Sequence, residues 1–336
     1  MFKHYFYHFI SIFTFSRKFR NKIRNRYPKP MDRIQGIENL LIANFEISKI
    51  PKANGYLRMI QDANMKLVEA FDRMCRENNI EYFMGGGALI GKLRHDDWIP
   101  WDDDIDIHVV GENWTKLINL IKKNYPNDEF YAVFNGSWHN LFKIIHKKTN
   151  LQLDIFRFEV CGFDIKHTPE DFEKMISLKV KYSELAKSGE KRKISNIEFL
   201  TEDSPEILSK KWADYEARME KYEKAWKDTV LAGSKPAKDG AIMCFSTYLN
   251  YTINDFHKNE TIFPIRRFDY CGLNLPFPNS IEDYTAHLYG DIFQYPKDMF
   301  TRHGDIVFDF FKYIELKKLL ELPNDILYKK FIGENK

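Results

Sequence analysis

The residues best able to do chemistry lie in one stretch, Gly85 to Ile107, which reads GGGALIGKLRHDDWIPWDDDIDI. Asp104 and Asp106 are two apart, and residues i and i+2 of a strand face the same side. Their carboxylates project together while Ile105 and Ile107 pack behind them. Adjacent carboxylates repel unless a cation sits between them, and a divalent metal ion answers that need. Upstream, the pair Gly86-Gly87 ends a strand and precedes a helix. Glycine lets backbone N–H groups approach a phosphate closely, and a helix N-terminus favours negative charge. A third acid, Asp154, sits inside the apolar run Leu151-Gln152-Leu153-Asp154-Ile155-Phe156. An acid flanked by Leu153 and Ile155 needs a compensating partner, because burying an unpaired charge is costly. Metals held by Asp104 and Asp106 would supply it. Asp102 reads equally as an outer ligand or as a solvated loop acid.

Two other motifs overlap this stretch and fail on chemistry. Gly86, Gly91 and Lys92 match the G-x-x-x-x-G-K of a P-loop, but Leu93 stands where a hydroxyl must hold Mg²⁺. Asp102, Asp104 and Asp106 occupy the first three ligand positions of an EF-hand loop. Ile107 then falls where that loop needs Gly, and Asn113 where it needs Glu. Arg94 and His95 lie between the glycines and the acids, where they could contact phosphate; a surface role on a short helix is the alternative. Lys143 either reaches a donor phosphate or is an ordinary exposed lysine. Trp98 and Trp101 are read as core in preference to stacking on a base or sugar. His139 and His303 have no spaced partners and read as structural.

The elements that must position these groups follow from periodicity. Between Gly55 and Asn79, Leu57, Ile60, Leu67, Val68, Phe71, Met74 and Cys75 recur at helical spacing, which predicts a long amphipathic helix. Glu81 to Met84 reads as a short strand running into the glycines, and Ala88 to His95 as a short helix. Asp104 to Val110 alternates acid and aliphatic before turning apolar, the pattern of a half-buried strand. Trp114 to Lys123 is helical, and Phe130–Phe134, Phe142–His146 and Leu151–Phe158 are further strands. From Pro169 to about Lys227 the chain is charged, poor in strand signals and largely helical, with Glu216 to Lys227 a solvated helix. Leu231 to Asp239 reads as a loop and Phe268 to Pro276 as a return to strand. Ser280 with Asp283 forms a helix start that runs to about Gly290. The expected fold is mixed α/β (α+β): a small mixed sheet flanked by helices.

Charge is unevenly distributed. Residues 1–30 hold eight Lys or Arg and no acid, so the rest of the chain carries 43 bases against 48 acids. A slightly acidic body with a basic leader is not the positive coat of a nucleic-acid binder. In the leader, Tyr5 to Phe15 is an apolar aromatic run of 11 residues, followed by a basic cluster from Arg17 to Arg26. That is short of the about 20 apolar residues a spanning helix needs, and a basic cluster stands where a signal peptide would be cleaved. The expectation is an interfacial anchor on anionic lipid. Cys75, Cys161, Cys244 and Cys271 form no C-x-x-C pair, so neither a zinc site nor a disulfide framework is indicated.

With Gly85-Gly86-Gly87, Leu89, Gly91, Arg94-His95 and the run Ile99-Pro100-Trp101-Asp102-Asp103-Asp104-Ile105-Asp106-Ile107, the sequence resembles the LicD-type phosphotransferases. This family includes bacterial phosphorylcholine transferases, fukutin and fukutin-related protein. Asp154-Ile155-Phe156 and Tyr289-Gly290-Asp291 fit as well. The resemblance covers residues 60–160 well and 260–300 loosely, and it implies a nucleotidyltransferase-like fold. The implied reaction moves a phospho-alcohol, phosphorylcholine favoured, from a CDP-activated donor to a hydroxyl of a glycan or lipid-linked oligosaccharide, releasing CMP. Implied cofactors are Mg²⁺ or Mn²⁺, two ions held by Asp104 and Asp106 with Asp154 on the catalytic one; Asp154 is also a candidate base. Gly86, Gly87, Arg94, His95 and Lys143 would bind substrate. The expected organisation is a leader (1–30), a catalytic core (55–160), a mostly helical insertion on the acceptor side (165–260) and a C-terminal part completing the domain (261–330). The expected place is the inner face of a bacterial membrane, with the Golgi lumen as alternative. An Asp-x-Asp glycosyltransferase and a non-catalytic glycan-binding protein are the competing readings.

Overall fold

A computed structural model describes residues 46–136, 141–161, 169–187, 196–231, 241–244, 256–294 and 308–334. The leader, His139, His303 and most of the loop expected from Leu231 lie outside the described residues. By compactness the chain divides into a small unit, residues 1–50 with 293–297, and a large one, 51–292 with 298–336. Within the small unit, Ile47–Lys49 form a single 3-10 turn.

The large unit is mixed α/β. Helix α1, Gly55–Glu77, buries Ile60, Leu67, Val68, Phe71, Met74 and Cys75, as its periodicity predicts. Strand β1, Tyr82–Met84, is wholly buried and leads into α2, Gly86–His95, which begins two residues earlier than expected. Strand β2, Asp106–Val110, is followed by α3, Gly111–Asn124. Strands β3, Phe130–Asn135, β4, Leu141–His146, and β5, Gln152–Cys161, complete the centre of the sheet. Helix α4, Pro169–Lys187, strand β6, Ile197–Phe199, and helix α5, Pro205–Trp226, come next.

The sheet order is β1-β2-β5-β4-β3-β6. Strands β2 and β5 are parallel neighbours, and the other pairs are antiparallel. The short strands β7, Ala241–Cys244, and β8, Phe256–Lys258, extend the far end of β5. The helical stretch after Pro169 thus lends three strands to the sheet. Each is three or four residues long, too short for alternation to register. A separate hairpin joins β9, Arg266–Tyr270, to β10, Leu273–Phe277. Its turn residues Cys271 and Gly272 both have positive φ, the geometry of a two-residue hairpin turn. Cysteine is not a turn residue by type, so the sequence reads as one strand where there are two. Helix α6, Ile281–Tyr289, starts at Ser280, whose hydroxyl accepts from the Asp283 N–H, and ends at Gly290. Helices α7, Phe310–Glu321, and α8, Asn324–Phe331, close the chain, and both pack on α1.

Strand β2 begins at Asp106 and not at Asp104. The carbonyls of Asp102 and Asp103 accept from side-chain amides of α1, Gln61 and Asn64, in place of strand partners. Sheet pairing starts where the Asp154 N–H donates to the Ile105 carbonyl at 3.0 Å.

Candidate active site

Strand register brings distant acids together. Asp106 lies opposite Asp154 in the β2–β5 pairing, and Lys143 lies opposite Asp154 in the β4–β5 pairing. Lys143 Nζ donates to Asp154 Oδ2 at 2.7 Å, with only 19% of the lysine side chain exposed. The compensating partner expected for Asp154 is therefore present in the protein as a cation, before any metal is considered. Neither alternative offered for Lys143 described this ion pair. Before β2, carboxylate oxygens of Asp102, Asp103 and Asp104 all lie within 4.8 Å of one another. Crowding by protein atoms, and then repulsion from Asp104, Asp154 and Asp102, raises the Asp106 carboxyl well above its ordinary value. Asp102 is raised for the same reasons, burial first and Asp104 next. Its surroundings are not those of a solvated loop acid.

The glycines let these acids meet the start of α2. Gly86 has φ +52°, and a Cβ there would lie 1.7 Å from Asp106 Oδ2. A Cβ on Gly87 would lie 2.0 Å from Asp102 Oδ2. Gly86 requires glycine, because its φ is left-handed and Asp106 fills the space of the missing side chain; a side chain at Gly87 would displace the Asp102 carboxylate. The Gly85 N–H donates to the Asp106 carbonyl at 3.0 Å and ties the helix entry to β2. The acids and the N-terminal turn of α2 thus lie against one another.

The donor set suits a hard divalent cation. Clustered carboxylate oxygens match Mg²⁺ or Mn²⁺, which prefer oxygen ligands. The side chains of Asp102 and Asp106 fill the space beside the two glycines, and both carboxyls are raised, first by burial and then by the neighbouring acids.

Arg94 is buried at the end of α2. Its Nη1 donates to the Ile292 carbonyl at 2.9 Å and its Nε to His95 Nε2 at 2.9 Å. Burial lowers its pKa to about 10, against the opposing pull of Asp102, so the guanidinium stays charged at neutral pH. Trp101 sits 5.4 Å beneath it, with the His95 ring at 6.5 Å from the indole. Trp98 is core, 2% exposed. Trp101 is only half-buried and belongs to the site's edge.

Four residues of this neighbourhood escape a reading by spacing. Asp103 joins the cluster although its parity places it off the i, i+2 face. Lys312, on α7, stands close enough to Asp103 for its charge to be felt, and burial lowers its pKa. Gln61 and Asn64 hold the acidic loop from α1. Their signal was available: Gln61, Asn64, Val68, Phe71 and Cys75 fall at alternating steps of three and four, so two amides stand on an otherwise apolar stripe. Next to the acids, His108 is packed among Phe83, Phe156, Phe158 and Tyr284. Burial lowers it to about 3, so it is neutral.

The comparisons with known proteins fall on this same region. Residues 79–186 match LicD/FKTN/FKRP, nucleotidyltransferase domain. Over 64 residues the chain is 36% identical to the lipopolysaccharide cholinephosphotransferase LicD of Haemophilus influenzae, covering 19% of this chain and 24% of that protein. It is 28% identical over 91 residues to an uncharacterised protein of Rickettsia prowazekii, covering 25% of this chain and 34% of the relative. A similar protein of Rickettsia typhi is 28% identical over 98 residues, covering 29% and 30%. The matches span between about a quarter and a third of these relatives' lengths. No helix among the described residues is long and apolar enough to cross a membrane.

Proposed function

We propose that this chain, whose residues 79–186 form a nucleotidyltransferase domain of the LicD/FKTN/FKRP family, is a metal-dependent phosphotransferase. It moves a phospho-alcohol from a CDP-activated donor to a glycan hydroxyl. The cholinephosphotransferase name of the Haemophilus relative makes phosphorylcholine the first donor group to test. The observation that carries the reading is the register of Asp106 against Asp154, together with the meeting of Asp106 and Asp102 with glycines that begin a helix beside the Asp102–Asp104 cluster.

Asp104, Asp106 and Asp154 would hold Mg²⁺ or Mn²⁺. When bound, the ion supplies positive charge against the diphosphate oxygens. Gly86 and Gly87 open the N-terminal turn of α2, whose unsatisfied N–H groups favour an anion, with the Asp106 and Asp102 carboxylates in the space beside them. Arg94 contributes fixed positive charge beside the loop, and His95 and Trp101 edge the same face. Lys143, paired with Asp154, orients that carboxylate. Asp154 then accepts the proton of the attacking glycan hydroxyl. The hydroxyl oxygen forms the new bond to phosphorus, the bond to CMP breaks, and its electrons leave on CMP.

The test is CMP release from a panel of CDP-alcohols with glycan acceptors and Mg²⁺ or Mn²⁺, run beside Asp106→Asn. Release from one donor, abolished by EDTA and by the substitution, is the expected result. Turnover of a UDP- or GDP-sugar with no CMP release would replace this reading by a glycosyltransferase. Glycan binding with neither activity and no metal binding would leave a binding protein.

A further inference from the structure

We infer that Gln61 and Asn64 of α1 are positioning residues that aim Asp102, Asp103 and Asp104 at a common cation. Gln61 Nε2 donates to the carbonyls of Ile99, at 3.3 Å, and Asp102, at 2.9 Å. Asn64 Nδ2 donates to the Asp103 carbonyl at 3.0 Å. The two amides are one helical turn apart and therefore share a face. They are 0% and 1% exposed. Together they hold three backbone carbonyls of a loop that carries a run of acids.

That loop packs three acids together. Its backbone contributes the Asp102 N–H to Ile99 carbonyl bond at 3.0 Å, and sheet pairing begins only at Ile105. Like charges packed within 4.8 Å push apart, so peptide anchors are needed to keep three carboxylates convergent when no cation is bound.

The amides also stand at a cost to the fold. Gln61 Oε1 and Asn64 Oδ1 are buried with no hydrogen-bond partner. A half-satisfied buried amide is worse for stability than a well-packed apolar side chain. The positions before and after them on the stripe, Ile60, Val68 and Phe71, are apolar. What the amides supply that leucine or methionine would not is the geometry of the loop.

The inference rests on the proposed metal site, with which it shares Asp104, so its test must fail separately from that reading. Full-length protein would be compared with Gln61→Met and Asn64→Leu by Mn²⁺ titration and by backbone amide exchange across residues 99–105. Leu67→Ala, a buried change on the same helix, serves as a control for lost stability. Each amide variant is expected to lose Mn²⁺ affinity about 10-fold or more, as outer-shell partners of metal sites do, with melting temperature unchanged or raised. Exchange across the loop is expected to quicken. Leu67→Ala should melt earlier and keep its Mn²⁺ affinity. Unchanged Mn²⁺ affinity with unchanged exchange in both variants overturns the inference, as does equal loss of affinity in Leu67→Ala. If the parent binds no Mn²⁺ while the variants still exchange faster, the metal reading falls and the tether stands.

Discussion

Asp97 and the Asp102–Asp106 cluster lie five residues apart and are treated in opposite ways. Burial alone would raise Asp97, but bonds from Lys52, the Trp98 N–H, the Cys271 thiol and Arg58 outweigh it and bring its pKa to about 2. Lys52 lies at 2.6 Å and Arg58 at 3.0 Å. Asp72 is also surrounded by donors, with Arg76 at 2.8 Å, Arg267 at 2.9 Å and the Tyr82 hydroxyl at 2.9 Å. At Asp102 and Asp106 the neighbours are mainly other acids, and both carboxyls are raised. The fold supplies enough positive charge where an acid holds elements together. It leaves a deficit where the acids face the glycine clefts. That contrast, more than the number of acids, separates a structural carboxylate from those that the proposed cation would neutralise.

The contrast can be broken in order of expected effect. Asp106→Asn should lower CMP release by at least about 10²–10³-fold, the scale of losing one preorganised charge stabiliser, with metal affinity falling in the same titration. If activity survives, the cluster is not the reacting centre. Asp97→Asn should do the reverse. Denaturant unfolding should show a loss of about 1.5–3 kcal/mol, the worth of hydrogen bonds to a charged group, while Mn²⁺ affinity holds. Gly86→Ala sits between the two, because it strains a positive φ and displaces the Asp106 carboxylate. Expected are about 1–2 kcal/mol from the left-handed backbone and a clear fall in Mn²⁺ affinity.

The smallest effect is on pH dependence, with opposite signs in the two regions. Asp102 and Asp106 have folded values above the ordinary 3.8. Above that pH the folded chain holds more protons, so their contribution is full below 3.8 and is lost as pH rises through the raised values. Asp97 contributes fully above 3.8 and loses its contribution as pH falls through about 2. In EDTA, the melting temperature of Asp106→Asn should exceed the parent's by a few degrees at pH 7, with the gap closing toward pH 4. A gap that does not change with pH would remove the charge-deficit account of the cluster.

Much of the site was legible locally. The i, i+2 acids, the glycine pair and the helix after it are patterns within a few residues, and the strand carrying Asp154 was visible from its apolar run. The Ser280 cap likewise declared itself, because capping is a local exchange of hydrogen bonds. The hairpin at Cys271-Gly272 did not, since one of its two turn residues carries no turn preference. Nor did β6, β7 and β8, whose few residues pair only because another strand, distant in sequence for β6 and β7, offers them an edge. Asp103 and Lys312 were missed for a related reason: side-chain direction in an irregular loop, and the landing point of a helix some 200 residues further on, follow no period.

The amino-acid sequence by itself determined which groups were available and on which face of their own element each would stand. Helical and strand geometry make that a local property. Only the tertiary structure decided that Asp106 would lie opposite Asp154, that Lys143 would answer Asp154, and that Gln61 and Asn64 would hold a loop about forty residues away in sequence. These are matters of register and packing. Each depends on how a whole apolar face is buried, and no short window of the chain contains that choice.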